Sequence, residues 1–107
     1  MTMQQRFDDS MLGVYQRALS EAGYCATRFL AMLNERGGLE TARYLLHATS
    51  VSEGYVALWE RQRLDLTVEA VILDPQWDAL FTSEEREIAR MRLEAYGYSF
   101  SNGAAPP

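Results

Sequence analysis

Signals that start and stop helices recur along this chain at intervals too short for any one helix to dominate. Thr2 and Gln5 fit a capping box, in which each side chain satisfies a backbone donor of the first turn. Ser50 with Glu53, and Thr82 with Glu85, repeat that spacing. Asp74 before Pro75 reads as an N-cap followed by proline at the first helical position, where a missing N–H costs nothing. Gly23, Gly37-Gly38 and Gly97 supply stops, because glycine accepts the left-handed conformation that ends helices. Such punctuation demands many short helices, each with one apolar face to bury.

The apolar residues between the signals keep helical spacing. Phe7, Met11, Val14, Tyr15 and Ala18 form a first stripe; Ala26, Phe29, Leu30 and Leu33 a second; Leu39, Ala42, Leu45 and Leu46 a third. Val51, Tyr55, Leu58 and Trp59 follow, and Trp77, Leu80 and Phe81 belong to the turn opened by Asp74-Pro75. The expected fold is therefore all-α, a compact bundle of five to seven short helices around a single core. Phe29, Leu33, Leu46, Leu58, Trp59, Val71, Trp77 and Ile88 are expected to be buried. Residues 1–98 form one helical domain in this reading, and 99–107, rich in turn-formers, a mobile C-terminal tail. A chain of 107 residues suffices for one core, since a domain of this size buries roughly 65% of the surface its unfolded chain exposes.

The segment from Leu64 to Ile72 carries two periods at once. Leu64, Leu66, Val68, Ala70 and Ile72 alternate with Asp65, Thr67 and Glu69, which suits a strand. Val68, Val71 and Ile72 also suit a helix, with Asp65 or Thr67 as its cap. The sequence contains no second alternating run, and a lone strand leaves its backbone groups unpaired. Helix is the expected state for 66–73.

Charge and composition narrow the partners. The net charge of -5 opposes phosphate backbones and anionic lipid, so nucleic acid and membrane surfaces are disfavoured. All ten basic residues are arginine. Codon usage in a GC-rich genome accounts for that, and bidentate contacts that lysine cannot make are the functional alternative. One cysteine, Cys25, excludes an intrachain disulfide and suits a reducing cytoplasm. No apolar run approaches the roughly 18 residues of a membrane span, and the polar, acidic start has no secretory pattern.

No set of residues carries recognisable chemistry. Cys25 and His47 are the only thiol and imidazole, and a nucleophilic pair would need them in contact with a third, orienting group. One His and one Cys fall short of zinc ligand sets, and the acidic residues do not form a calcium loop. Asp8-Asp9 and Glu84-Glu85 read as helix-start acids. Gly37-Gly38 has neither the strand nor the lysine of a phosphate cradle. Catalytic residues, metal and cofactor are therefore all read as none, and the chain as not an enzyme.

Residues of the types enriched at interfaces remain: Arg61 and Arg63 beside Trp59 at a helix end, Arg43, and Tyr96 and Tyr98 where the last helix gives out. The bland alternatives are dipole compensation for the arginines and core cover for the tyrosines. A faint helix-turn-helix outline spans Leu39 to about Leu46 and the helix after Val51, but its second helix opens with Glu53, which repels phosphate.

Three stretches, Tyr24 to Leu30, Gly37-Gly38 through Leu45-Leu46, and Leu58-Trp59-Glu60 through Leu66-Thr67-Val68-Glu69, resemble small uncharacterised bacterial all-α proteins of unknown function. The resemblance covers roughly Tyr15 to Tyr98. It implies a bacterial source and a free-standing helical domain, and it brings no activity, ligand or site residue. The expected function is that of a non-enzymatic helical interaction module, an adaptor or accessory subunit binding a protein partner through Arg61, Arg63, Arg43, Tyr96 and Tyr98. The alternative is a helix-turn-helix-like regulator or nucleic-acid accessory factor.

Overall fold

The computed structural model describes residues 1–98; the tail expected at 99–107 lies outside them. All regular structure among the described residues is helical, with no strand. In chain order they form α1 (Met3–Ala22), α2 (Thr27–His47), α3 (Glu53–Glu60), a 3-10 turn (Leu64–Leu66), α4 (Val68–Ile72), a second 3-10 segment (Pro75–Leu80) and α5 (Ser83–Ala95). The all-α bundle read from the sequence is the fold of the molecule.

Most of the predicted boundaries hold because the capping chemistry is local. Thr2 and Gln5 exchange both capping-box bonds, and so do Thr82 and Glu85. Gly23 ends α1 at φ 67°, with the Tyr24 amide donating back to the Ala18 carbonyl. Two boundaries differ. The start of α3 is capped by Ser52, whose Oγ accepts from the Tyr55 amide, and not by Ser50, so Glu53 is the first residue of the helix. The Gly37-Gly38 pair kinks one long helix where two separate helices were expected, with Gly37 at φ 81°, ψ 171°. That conformation is closed to residues with a Cβ.

The kink is held from outside. The Gly38 amide donates to Asp8 Oδ1 at 2.8 Å, so Asp8 caps the second half of α2. Asp8 thus lies two turns into α1 and serves another helix, where the sequence suggested a cap of its own. The helices meet closely enough that a Cβ on Gly38 would sit 2.6 Å from Asp8 Oδ1 and 3.0 Å from Asp8 Cα. Contact between α1 and α2 is the most extensive in the bundle.

The buried face of α1, Phe7, Met11, Val14 and Ala18, follows the predicted stripe. Phe7, Met11 and Val14 enter the main core with Ala42, Leu46, Val68, Ile72, Trp77, Phe81 and Ala89, while Ala18 joins Leu58 and Leu66 in a smaller cluster. Phe7 meets the rings of Trp77 and Phe81 edge-on, at 5.3 and 5.4 Å. Phe29, Leu33, Val71 and Ile88 are half-buried against this core, and Leu46, Leu58 and Trp77 are buried. Trp59 departs from expectation at 43% exposure. Tyr55 and Leu58 set the inner face of the two-turn α3, which leaves Trp59 on its flank.

The segment with two periods resolves around Thr67. Its hydroxyl donates to the Leu64 carbonyl at 2.7 Å and accepts from the Ala70 amide at 3.2 Å, closing the 3-10 turn and opening α4. The apparent alternation is an accident of burial on all sides: Leu64, Leu66, Thr67, Val68, Glu69 and Ile72 are all buried.

Adding a methyl group to Gly38 should cost about 1–3 kcal/mol by overpacking against Asp8. Removing the cap with Asp8→Ala should cost about 0.5–2 kcal/mol. Because both changes act on one contact, the double variant should lose less than the sum; urea unfolding checks all three. Thr41 is fully buried, and its hydroxyl is without a hydrogen-bond partner. Thr41→Val should therefore leave stability unchanged or raise it by about 1 kcal/mol, measured in the same way.

Candidate functional site

The arginines singled out by the sequence have internal work. Arg61 donates from Nε to the Ala22 carbonyl (3.0 Å) and from Nη1 to the Ala57 carbonyl (2.9 Å), capping the ends of α1 and α3 together. Its guanidinium also lies 5.2 Å from the centre of the Tyr24 ring. Arg63 grips both carboxylate oxygens of Asp65 at 3.0 Å and reaches Glu21 at 2.7 Å. A left-handed residue, Gln62 at φ 61°, turns the chain between them. Arg43 stands elsewhere: it donates to the Leu80 carbonyl (2.7 Å) and pairs with Glu85 at 3.4 Å. Arg43 shares no partner with the other two, so the three do not compose one cationic face.

The tyrosines cover core. Tyr96 and Tyr98 are half-buried against the cluster of Tyr55, Leu64 and Leu93. Tyr96 touches two rings edge-on, Tyr55 at 5.0 Å and Trp59 at 5.3 Å. The result is a three-ring ladder whose inner rung, Tyr55, is 2% exposed and whose outer rung, Trp59, faces solvent. Sequence periodicity missed this arrangement, since Tyr96 joins the ladder only through the packing of α5 on α3.

Cys25 and His47 do not form a pair. Cys25 is exposed, with its Sγ 3.8 Å from the Tyr15 hydroxyl. His47 Nε2 lies 2.9 Å from Glu85 Oε2. Among the described residues, no group of three or more His, Cys, Asp or Glu is placed to hold a metal ion, and no helix is long and apolar enough to cross a membrane.

A buried ion pair escaped the sequence reading. Glu69 of α4 and Arg92 of α5 have side chains 5% and 14% exposed, and Arg92 Nη1 donates to Glu69 Oε2 at 3.1 Å. Arg92 also donates to the carbonyls of Leu45 (3.0 Å) and Ala48 (2.7 Å) at the end of α2. The Tyr55 hydroxyl donates to the Arg92 carbonyl at 2.9 Å. Burial pushes the Glu69 carboxyl up, offset in part by its own amide and by Arg92. Beside this pair, a recess of about 410 Å³ opens between α1, both halves of α2, α3 and the start of α4. Comparison with models of known protein families, with curated proteins and with solved structures finds no match.

Glu85 yields a pH prediction. Burial alone would raise its carboxyl, but the His47 ring, the Thr82 amide and the Arg43 guanidinium outweigh that and hold it below the usual range. A depressed carboxyl stabilises the fold above its unfolded value and loses that contribution as pH falls through the folded one. Glu85→Gln keeps the capping-box geometry and removes the charge, so it should cost about 1–3 kcal/mol at neutral pH. The gap between wild type and variant should close as pH drops below the carboxylate range. Thermal melts of both proteins across that range provide the check.

Proposed function

We propose that the chain is a helical interaction module of the cytoplasm, an adaptor or accessory subunit that acts through a protein partner and has no chemistry of its own. The observation that carries this reading is the exposed end of the ring ladder. Trp59, at 43% exposure, is steadied by Tyr96, which rests on buried Tyr55. A large aromatic already fixed in place loses little freedom on binding, and Trp and Tyr dominate the residues that carry interface affinity. Arg61 and Arg63 flank it, and Arg61, exposed despite its internal bonds, can add contacts at the rim. The single thiol suits a reducing compartment.

Nothing specific favours the nucleic-acid alternative. The net charge is -5, Arg63 and Arg43 already pair with carboxylates, and Glu53 opens α3.

A photo-crosslinking residue at position 59, compared with one at exposed Arg90, should capture a specific partner from extract. Titrated in purified form, that partner should bind Trp59→Ala at least tenfold more weakly, while the variant's own stability falls by only about 1 kcal/mol. Equal capture at both positions, or unchanged affinity, would overturn the reading. Tight, steeply salt-dependent binding of duplex DNA by the wild type would put the regulator in its place.

A further inference from the structure

We propose that the first half of α2, residues 27–36, is a strap that detaches and unwinds as one unit while α1 and the second half of α2 stay folded. The strap is independent of the Trp59 surface and includes none of its residues.

The two halves of α2 are held very differently. In the second half Thr41, Ala42 and Leu46 are buried, the Gly38 amide is bonded to Asp8, and Arg43 and His47 both meet Glu85. Arg92 of α5 holds the carbonyls of Leu45 and Ala48. The first half has no buried residue at all. Its grip is apolar and partial, with Phe29 and Leu33 half-buried against the main core. Phe29 and Met32 also border the recess, so part of their surface meets open space in place of packed atoms. The polar ties among the described residues are weak. Arg28 pairs with Glu53 at 3.6 Å where both side chains are almost wholly exposed, and Arg36 lies over the exposed ring of Tyr44. Such surface contacts contribute little.

The ends of the strap are cut sharply. Ala26 stands at its N-cap without a side-chain bond, so the first amides lack the usual acceptor. Just before it the chain is anchored, since the Tyr24 amide donates to the Ala18 carbonyl and the Tyr24 ring lies by Arg61. At the other end Gly37 breaks the helix, and Asp8 caps the next turn on its own account. Opening can therefore stop at Gly37 without exposing a new helix end. A helix shorter than roughly 12 residues is marginal in water, so this one unwinds once it leaves the core. Its departure bares the part of the main core that Phe29 and Leu33 cover, and widens the recess beside Val14 and Val68.

Native-state amide hydrogen exchange of the full chain, read residue by residue by NMR, tests the strap. Amides 31–36 should share one opening equilibrium and be at least about tenfold less protected than the slowest amides of 41–47. Urea below the unfolding midpoint should speed all of 31–36 with one common slope, smaller than that of the slowest amides, because less surface is exposed. Two variants separate the strap from the rest. Leu93 is buried in a cluster that includes no residue of 27–36. Leu93→Val should speed the slowest amides of 41–47 by about fivefold and leave 31–36 unchanged. Leu33→Ala should speed both sets alike, since either opening releases Leu33. The proposal is overturned by equal protection in the two halves of α2, or by acceleration of 31–36 in Leu93→Val. It is equally overturned if amides 31–36 exchange one by one without urea dependence, which is fraying from Ala26.

Discussion

The contact between Asp8 and Gly38 fixes how the longest helices lie on one another. A helix break leaves amide donors without partners, and the break at Gly37 falls where α2 presses on α1. Asp8 supplies the acceptor, and the missing side chain of Gly38 lets the backbones close. One glycine permits the turn and the next permits the approach. The first half of α2 is thereby directed along one course and the second half along another. Ala42 and Leu46 of the second half are buried in the main core, Phe29 and Leu33 of the first half pack against it, and Phe29, Met32 and Leu45 line the recess.

A polar joint at the other end of α2 does comparable work. Arg92 gathers two carbonyls from the end of α2 and the carboxylate of Glu69, and its own carbonyl receives Tyr55. The ends of α2 and α4 therefore meet at one guanidinium of α5, and α3 joins at the same residue's carbonyl. Taking these charges out of water is costly, and the cost is offset only because nearly every donor has a geometric partner. Arginine alone among the cations presents enough donors in a fixed plane for the task. Such a joint fixes which arrangement of short helices forms, because alternatives that bury Glu69 without Arg92 leave a charge unpaired.

The surface follows from this division of labour. Arg43, Arg61, Arg63 and Arg86 all donate to backbone carbonyls or neighbouring carboxylates. Short helices have many ends relative to their length, and each end exposes carbonyls that long cationic side chains can reach. Several large apolar side chains are exposed as well: Trp59, Tyr44 and Met91, with Leu12 and Leu19 on one side of α1.

The sequence by itself determined the class of fold and most helix boundaries. Thr2, Thr82, Asp74 and Gly23 act within a turn of where they stand, and the burial of α1 follows from spacing along one helix. Even the ambiguous stretch around Thr67 carried its cap in plain view. Tertiary structure decided whatever depended on residues far apart in the chain. Asp8 became a cap for Gly38, thirty positions away, and Arg92 met Leu45 at a separation of forty-seven. Trp59 turned outward because α3 had only one narrow inner face, and the arginines beside it were drawn to the carbonyl of Ala22 and the carboxylate of Glu21. Capping and periodicity are short-range and written in neighbouring residues. Pairing across helices depends on which faces meet, and that was settled by packing these helices into one volume.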